Sequence, residues 1–528
     1  MYIYIFDTNF WSYFFNDLTF MQQIQMVTDN YLLWFAFLVI LGVPGWTLGW
    51  LLVLAFKKKP NDSHGSARWG NLKDAIEKKL VVNDYKGKAT IIGKLGGRLI
   101  GLMYHVIIIA KTRYGKGVGY VIPLLLKYLG SIVCNDVKGE NYVRTNRQRR
   151  KMGQNVFKFD PYDYKPDEYG RSCINPLDYI KDGDPDAIAT ARQLSSIIAS
   201  PHKSGDAFFT QYGEKIVTLY ILYVCAKCEP HERNLGTVRY LLSRAGEEQQ
   251  AILDEMKKME TEFEGIIYTD TCQLMTLRGD PTKPANNTIL GLLATADIMT
   301  AWLDDPRIKE SLSKSDFQPE MFRYEPSSLY IIVEPNKIEV CTLLIKIIYT
   351  IVIQYNNTDR VPLAAKEMGL KQMKLPLKMV MDEFAQLEKF EPVKKAIPVC
   401  ASFGLWFIII VQNIGQLDEY YNKGSKEFLT NCAKVFLGSE DDETSAKITA
   451  LCGKETIMQE SYSVKSGLIF DSKQCSYTPI ARDLITVGEA GQLPEEISLL
   501  WKGGVPPLKT DKIYYYNDDD FKGLYDLY

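Results

Sequence analysis

The sequence predicts an α/β fold, a largely parallel sheet covered by helices, interrupted by an all-helical insertion and preceded by an apolar membrane span. Three observations predict it. Short runs that are apolar at every position alternate with helical patterns, as strands buried on both faces do. Between Asp184 and Leu312 the strand signals give way to long helical patterns. Near the N-terminus, the run from Tyr31 to Phe56 has no charged residue.

That run, YLLWFAFLVILGVPGWTLGWLLVLAF, is about 39 Å long as a helix, enough for one tilted span and too short for two. Gly42, Pro44, Gly45 and Gly49 allow it to kink, which membrane helices tolerate. No Lys or Arg precedes Lys57, and Lys57, Lys58 and Lys59 follow the run directly. The positive-inside bias therefore puts the N-terminus outside and everything after residue 57 in the cytoplasm. A core helix of this length rarely lacks charge all round, and a cleaved signal peptide would open on a basic segment. Residues 1 to 20 carry Asp7, Asn9, Asn16 and Asp17 among aromatics, which suits an interfacial or channel-contacting segment better than a second span.

At 528 residues the chain exceeds one ordinary core. With 46% hydrophobic and 24% charged residues it has a common globular composition, and its net charge of -2 excludes a global attraction for polyanions. The ten cysteines have no repeated spacing, and reduced thiols are expected on the cytoplasmic side. The expected organisation is an N-terminal segment over 1–30, the span over 31–56, the α/β domain in two parts over 57–183 and 313–510, the all-α domain over 184–312, and a polar, aromatic, acidic tail over 511–528.

In the α/β domain, His105 to Ala110 reads as a strand, and Val118 to Tyr128 as the helix after a glycine-bearing loop. Ser131 to Cys134, Ser328 to Val333, Leu377 to Met381 and Leu405 to Val411 read as further buried strands. The loop Ala110, Lys111, Thr112, Arg113, Tyr114, Gly115, Lys116, Gly117 and Val118 has the parts of a phosphate-binding loop. Glycine stands where the chain must turn, and Lys116 stands at a helix N-terminus within reach of terminal phosphates. It departs from the general pattern twice: Ala110 replaces the first Gly, and Gly117 replaces the Mg²⁺-binding Ser or Thr. The run Leu377 to Phe384 ends its strand in Asp382 and Glu383, the carboxylate pair that holds Mg²⁺ and polarises water in such sites. Gln412 and Asn413 end the strand LWFIIIV, where an amide can bond a γ-phosphate or the attacking water.

These residues lie within a wider resemblance. GSARWGNLKDA, HVIIIAKTRYGKGVGYVIPLLL, NDVKGENYVRTNRQRRKMG, DPYD, INPLD, LDDPRIKESLSKSDF, VMDEFAQLEKF, IIIVQNIGQLDEYY and DDETSAKITALCG resemble, in order, the TraG-type coupling proteins of conjugation and type IV secretion. The resemblance runs from about residue 64 to 516, and the KGE and NPLD segments are not general phosphate-loop features. It implies a RecA-like P-loop nucleotide-binding domain with an inserted all-α domain, an N-terminal transmembrane helix, and a ring of six subunits at the inner membrane with the bulk of the chain cytoplasmic. It implies an ATPase that uses ATP and Mg²⁺ and passes DNA, a relaxase nucleoprotein or an effector to the secretion channel. Lys116 then contacts phosphate, Asp382 holds the metal, Glu383 activates water and Gln412 senses the γ-phosphate. Similar proteins often read GKG, with Thr112 or water as the substitute for the missing hydroxyl. The family also implies two spans, where this sequence shows one clear run.

Other residues have plainer readings. Asp136, Lys138 and Glu140 fall on a strand end near the site, without an assigned role. Arg113, Arg307 and Arg482 are candidates to reach a neighbouring subunit's site, each set against an ordinary surface ion pair. Arg144, Arg147, Arg150 and Lys151 read as a solvated basic face before a DNA track, and Cys225 with Cys228 as buried helix cysteines before a zinc pair. The Asp518–Asp520 run reads as a solvated tail. The rival functions are a non-hydrolysing nucleotide-binding receptor and another P-loop motor, either a septal DNA pump or a channel-assembly ATPase.

Overall fold

The computed structural model describes residues 19, 21–23, 63–202, 206–279, 286–358, 361–422, 425–465 and 472–528. The expected span over 31–56 and nearly all of the segment over 1–30 lie outside the described residues.

Fourteen strands are present among the described residues: β1 Val81–Val82, β2 Thr90–Leu95, β3 Arg98–Leu102, β4 Val106–Ile109, β5 Ile132–Val137, β6 Asn155–Phe159, β7 Ser327–Val333, β8 Leu377–Met381, β9 Leu405–Val411, β10 Ala433–Phe436, β11 Lys454–Lys465, β12 Ser472–Asp483, β13 Ile497–Trp501 and β14 Leu508–Asp511. Twelve form one sheet in the order β1-β3-β2-β14-β13-β10-β4-β9-β8-β5-β7-β6. The seven strands from β10 to β6 are parallel throughout. The other five join antiparallel, so the sheet is mixed where the sequence predicted a largely parallel one. The antiparallel strands escape a search for continuous apolar runs because they alternate, as Leu508–Asp511 does with Leu508 and Thr510 buried and Lys509 and Asp511 exposed.

The central strands are apolar throughout because both faces are covered. Ile107 and Ile109 of β4, with Phe407, Ile409 and Val411 of β9, enter one core. Val106 and Ile108, with Ile408 and Ile410, enter the core on the opposite face. The first core continues into the helical insertion, which comprises α1 Ala187–Ile198, α2 Ala207–Lys227, α3 Leu235–Leu242, α4 Gly246–Met256, α5 Ile266–Arg278, α6 Asn287–Thr300 and α7 Pro306–Ser311. Four of its helices start on side-chain caps: Asp206, Asn234, Asn286 and Asp305 accept from the first-turn amides of α2, α3, α6 and α7.

One helix among the described residues is long and apolar enough to cross a membrane, Pro335–Asn356, and 72% of its apolar window is buried. Its residues belong to the core beside the sheet. By its contacts the chain divides into two units, and the smaller takes residues 1–66 and 454–482. Within it β11 and β12 pair as a two-stranded sheet, and Ser66 bridges to Glu455.

The closing segment is not a tail. Ile513, Tyr515 and Phe521 are buried in a third apolar cluster, and Asp518 pairs with Lys94 at 2.8 Å. The acidic and tyrosine-rich composition of the segment concealed this spacing of buried side chains.

Candidate active site

The phosphate-loop strand β4, strand β9 and strand β8 are consecutive and parallel. Their C-terminal ends therefore open on one side of the sheet, where ligands of open α/β folds sit. Lys116 follows β4, Gln412 follows β9, and Asp382 and Glu383 follow β8, so sheet order alone brings together residues far apart in sequence.

Ala110 is fully buried, and its amide extends the ladder to the carbonyl of Val411 at 2.9 Å. The loop then turns through Arg113 and Gly115, whose φ angles of 68° and 77° are left-handed. Glycine takes this conformation without strain, and Arg113 does so at a cost of about 1–2 kcal/mol. Lys116 has helical backbone angles and leads into a widened turn, Gly117–Val121, that continues as the helix Ile122–Lys127. A Cβ built on Gly117 meets nothing within 4 Å, so the missing hydroxyl leaves open space. The Lys111 ammonium turns away to Glu440 at 2.9 Å, Thr112 and Arg113 are exposed, and Val118 packs against the third apolar cluster. The aromatic ring of Tyr114 fills the space above Gly438, where a Cβ would come within 2.9 Å of it.

The Lys116 ammonium forms a close ion pair with Glu383 and lies 3.4 Å from Asp382. Gln412 donates from Nε2 to the other carboxylate oxygen of Glu383 at 3.0 Å. Glu383 adopts φ 52°, a left-handed conformation that turns the chain from β8 into the next segment. Burial pushes the Asp382 carboxyl up, and the charge of Lys116 opposes that shift. All four side chains expected from the sequence thus meet at one point. The donor set fits Mg²⁺-nucleotide: one carboxylate beside the loop suits an ion that takes its remaining ligands from phosphate and water. Among the described residues no group of three His, Cys, Asp or Glu could hold a metal by itself.

Two residues beside this point were not singled out by sequence. The side-chain oxygen of Asn135, within β5, accepts from the Asp382 amide at 2.9 Å, and its Nδ2 donates back to the Asp382 carbonyl. Lys512 donates to the carbonyl of Tyr114 at 3.0 Å. Asn135 falls inside the NDVKGE segment, which was the available signal; nothing local marks Lys512.

The residues of that segment take structural roles. Asp136 is fully buried and accepts from the amides of Asn141 and Tyr142 at 3.1 and 2.7 Å, closing the first turn of the helix Glu140–Lys151. Burial pushes its carboxyl up to about 7. Lys138 and Gly139 are left-handed, and Glu140 pairs with Arg144 at 2.8 Å.

Most of the remaining cations are already engaged. Arg307 pairs with Asp305 at 2.8 Å and lies over the Tyr162 ring, and Arg482 pairs with Glu455 at 3.3 Å. Arg147 pairs with Asp526 at 2.7 Å, and Arg150 lies 3.7 Å from the centroid of the Tyr169 ring. Cys225 is a buried helix residue, as expected, and Cys228 follows the same helix.

The sequence profile of the type IV secretory system conjugative DNA transfer family matches residues 58–525. Protein VirD4 of Rhizobium rhizogenes is 26% identical over 90% of this chain and 68% of its own length. Across three VirD4 relatives the chain spans 65% to 69% of their length. Conjugal transfer protein TraG of Escherichia coli is 25% identical over 87% of this chain and 77% of its own. Among solved structures, the unbound bacterial conjugative coupling protein TrwBdeltaN70 matches with a TM-score of 0.61 at 15% identity, covering 85% of this chain and 94% of that one. The plasmid coupling protein TrwB in complex with ADP and Mg²⁺ matches with a TM-score of 0.60 at 14% identity, with the same coverage.

Proposed function

The chain belongs to the type IV secretory system conjugative DNA transfer family, and on that premise we propose that it is an ATP-driven coupling protein delivering DNA, a relaxase nucleoprotein or an effector to a type IV secretion channel. The observation that carries this reading is the meeting of Lys116, Asp382, Glu383 and Gln412 at the ends of three consecutive parallel strands.

The placement of the residues supports the following roles. Lys116 leaves Glu383 for the terminal phosphates of ATP, where its charge offsets theirs. Asp382 would hold Mg²⁺, which would supply charge that offsets that of the phosphate oxygens. Glu383, released from Lys116, takes the proton of the attacking water. Gln412 holds the far oxygen of Glu383 and so orients it. Its own amide donates to Gln416 at 3.0 Å, which ties the γ-phosphate sensor to the following helix, Gly415–Tyr421. The ADP and Mg²⁺ held by the similar TrwB structure support ATP and Mg²⁺ as the ligands here.

Work of this kind is done by a ring of six subunits at the inner membrane, anchored through the run over 31–56, with the 184–312 helical domain facing substrate and with channel components as partners. Donor cells lacking the chain should regain plasmid mobilisation with the parent gene and stay at the empty-vector level with Glu383→Gln. Equal transfer by both would replace this reading with that of a non-hydrolysing receptor.

A further inference from the structure

The chain after β14 runs along the flank of the phosphate loop. Lys512 is 7% exposed, and besides its bond to the Tyr114 carbonyl its ammonium lies 5.4 Å from the centroid of the Tyr114 ring. The carbonyl of Ile513 would stand 3.5 Å from a Cβ on Gly119, and Cε1 of Tyr514 would stand 3.7 Å from one on Gly115. The glycines of the loop are therefore matched on this side by backbone and ring of the closing segment.

Against these residues lies an open cavity of about 500 Å³ lined by Lys94, Lys512, Tyr514, Asn517 and Asp518, among others. That volume is in the range of small-ligand sites. Its walls are set by bonds that leave recognition groups available. The Tyr514 hydroxyl donates to the Glu495 carbonyl at 3.0 Å, which fixes the ring. The backbone amide of Asn517 donates to the Tyr514 carbonyl at 2.9 Å, and Asn517 lines the same cavity. Among the described residues that side chain makes no hydrogen bond. Asp518 is occupied by Lys94 at 2.8 Å and by the Asp520 amide at 3.0 Å.

We propose that this cavity is the nucleobase subsite of the phosphate loop, where Tyr514 stacks on a purine, Asn517 reads its edge and Lys512 fixes the loop backbone. A carboxamide carries a donor and an acceptor side by side, as the edge of a purine does, and an aromatic face stacks on any base. The subsite rests on the reading that the loop around Lys116 binds nucleotide triphosphate.

Calorimetric titration of the full chain in detergent with ATP and with inorganic tripolyphosphate separates the two claims, because tripolyphosphate has the phosphates and no base. Tyr514→Ala and Asn517→Ala are each expected to weaken ATP about tenfold and to leave tripolyphosphate unchanged. Tyr514→Phe retains the ring but loses its bond to the Glu495 carbonyl, so it should bind ATP closer to the parent than Tyr514→Ala does. Lys116→Ala should weaken both ligands, and failure to weaken either would remove the phosphate-loop reading itself. The subsite is overturned if both alanine variants bind ATP normally, or if they weaken the two ligands equally. Asn517 is exposed, so its variant carries the test if Tyr514→Ala does not fold.

Discussion

Replacing Glu383 by Gln should move nucleotide binding and turnover in opposite directions. In the structure Glu383 holds Lys116, the residue proposed to meet the nucleotide's phosphates, and both side chains are 17% exposed. At an effective dielectric of about 20, charges about 4 Å apart attract by about 4 kcal/mol, and a hydrogen bond to a charged group is worth about 1.5–3 kcal/mol net. Lys116 keeps Asp382 at 3.4 Å when the Glu383 charge is removed, so only part of that hold is lost. A loss of about 1–2 kcal/mol of competition corresponds to ATP binding about 5–30 times tighter. Gln preserves the shape of Glu383 but cannot take a proton from water, and turnover should fall by about 10²- to 10⁴-fold. Calorimetric titration with ATP, paired with phosphate release at saturating ATP, reads both effects on one preparation. Weaker ATP binding would refute the competition argument, and turnover equal to the parent's would refute the role of Glu383.

Three further outcomes follow from single contacts. His105 is 2% exposed and its Nδ1 accepts from the Phe407 amide at 2.9 Å, so the folded ring is neutral, and burial pushes its pKa down to about 4. The unfolded chain binds that proton near pH 6.5, so stability should fall by about 1.4 kcal/mol per unit as pH drops from about 6.5 to about 4. Urea denaturation across this range should show a slope that flattens in His105→Asn, and equal slopes would contradict the neutral ring. Asn135→Ala removes both partners from the Asp382 backbone and should cost about 1–3 kcal/mol in the same denaturation assay, with turnover falling more than ATP affinity. Gly117→Ser places a hydroxyl in open space; it should leave the melting temperature unchanged and lower the Mg²⁺ concentration for half-maximal turnover, whereas a large drop in melting temperature would show that the space is not open.

The site was more legible than the fold around it. Lys116, Asp382, Glu383 and Gln412 each follow a strand whose largely apolar run marks it in sequence, and the sheet order then converges them. The edge strands were hidden because they are short or alternate; β8 was legible even though Lys378 sits inside it, fully buried, with its ammonium donating to the Ala89 carbonyl at 2.9 Å and lying over the Tyr128 ring. A lysine is marked as buried only by such distant partners. The same holds for Lys512 and for the closing segment, whose Ile513, Tyr515 and Phe521 are interleaved with tyrosines, an asparagine and aspartates that carry no apolar period. Arg149 shows the pattern at its limit: fully buried, it bonds carbonyls of Leu125, Tyr128 and Gly130, and burial lowers its pKa to about 10. Neighbouring arginines of the same helix are taken up by Glu140, Asp526 and Tyr169, which local sequence could not reveal.

Lys116 and the two carboxylates that follow β8 are proposed to form one hydrolytic site coupled to nucleic acid. The most direct measurement is steady-state ATP hydrolysis by the purified full chain, with and without single-stranded DNA, in the parent and in Lys116→Ala. DNA should stimulate turnover in the parent, and turnover should vanish in the variant. Turnover that survives in Lys116→Ala, or a parent that binds ATP without hydrolysing it in either condition, would contradict that assignment.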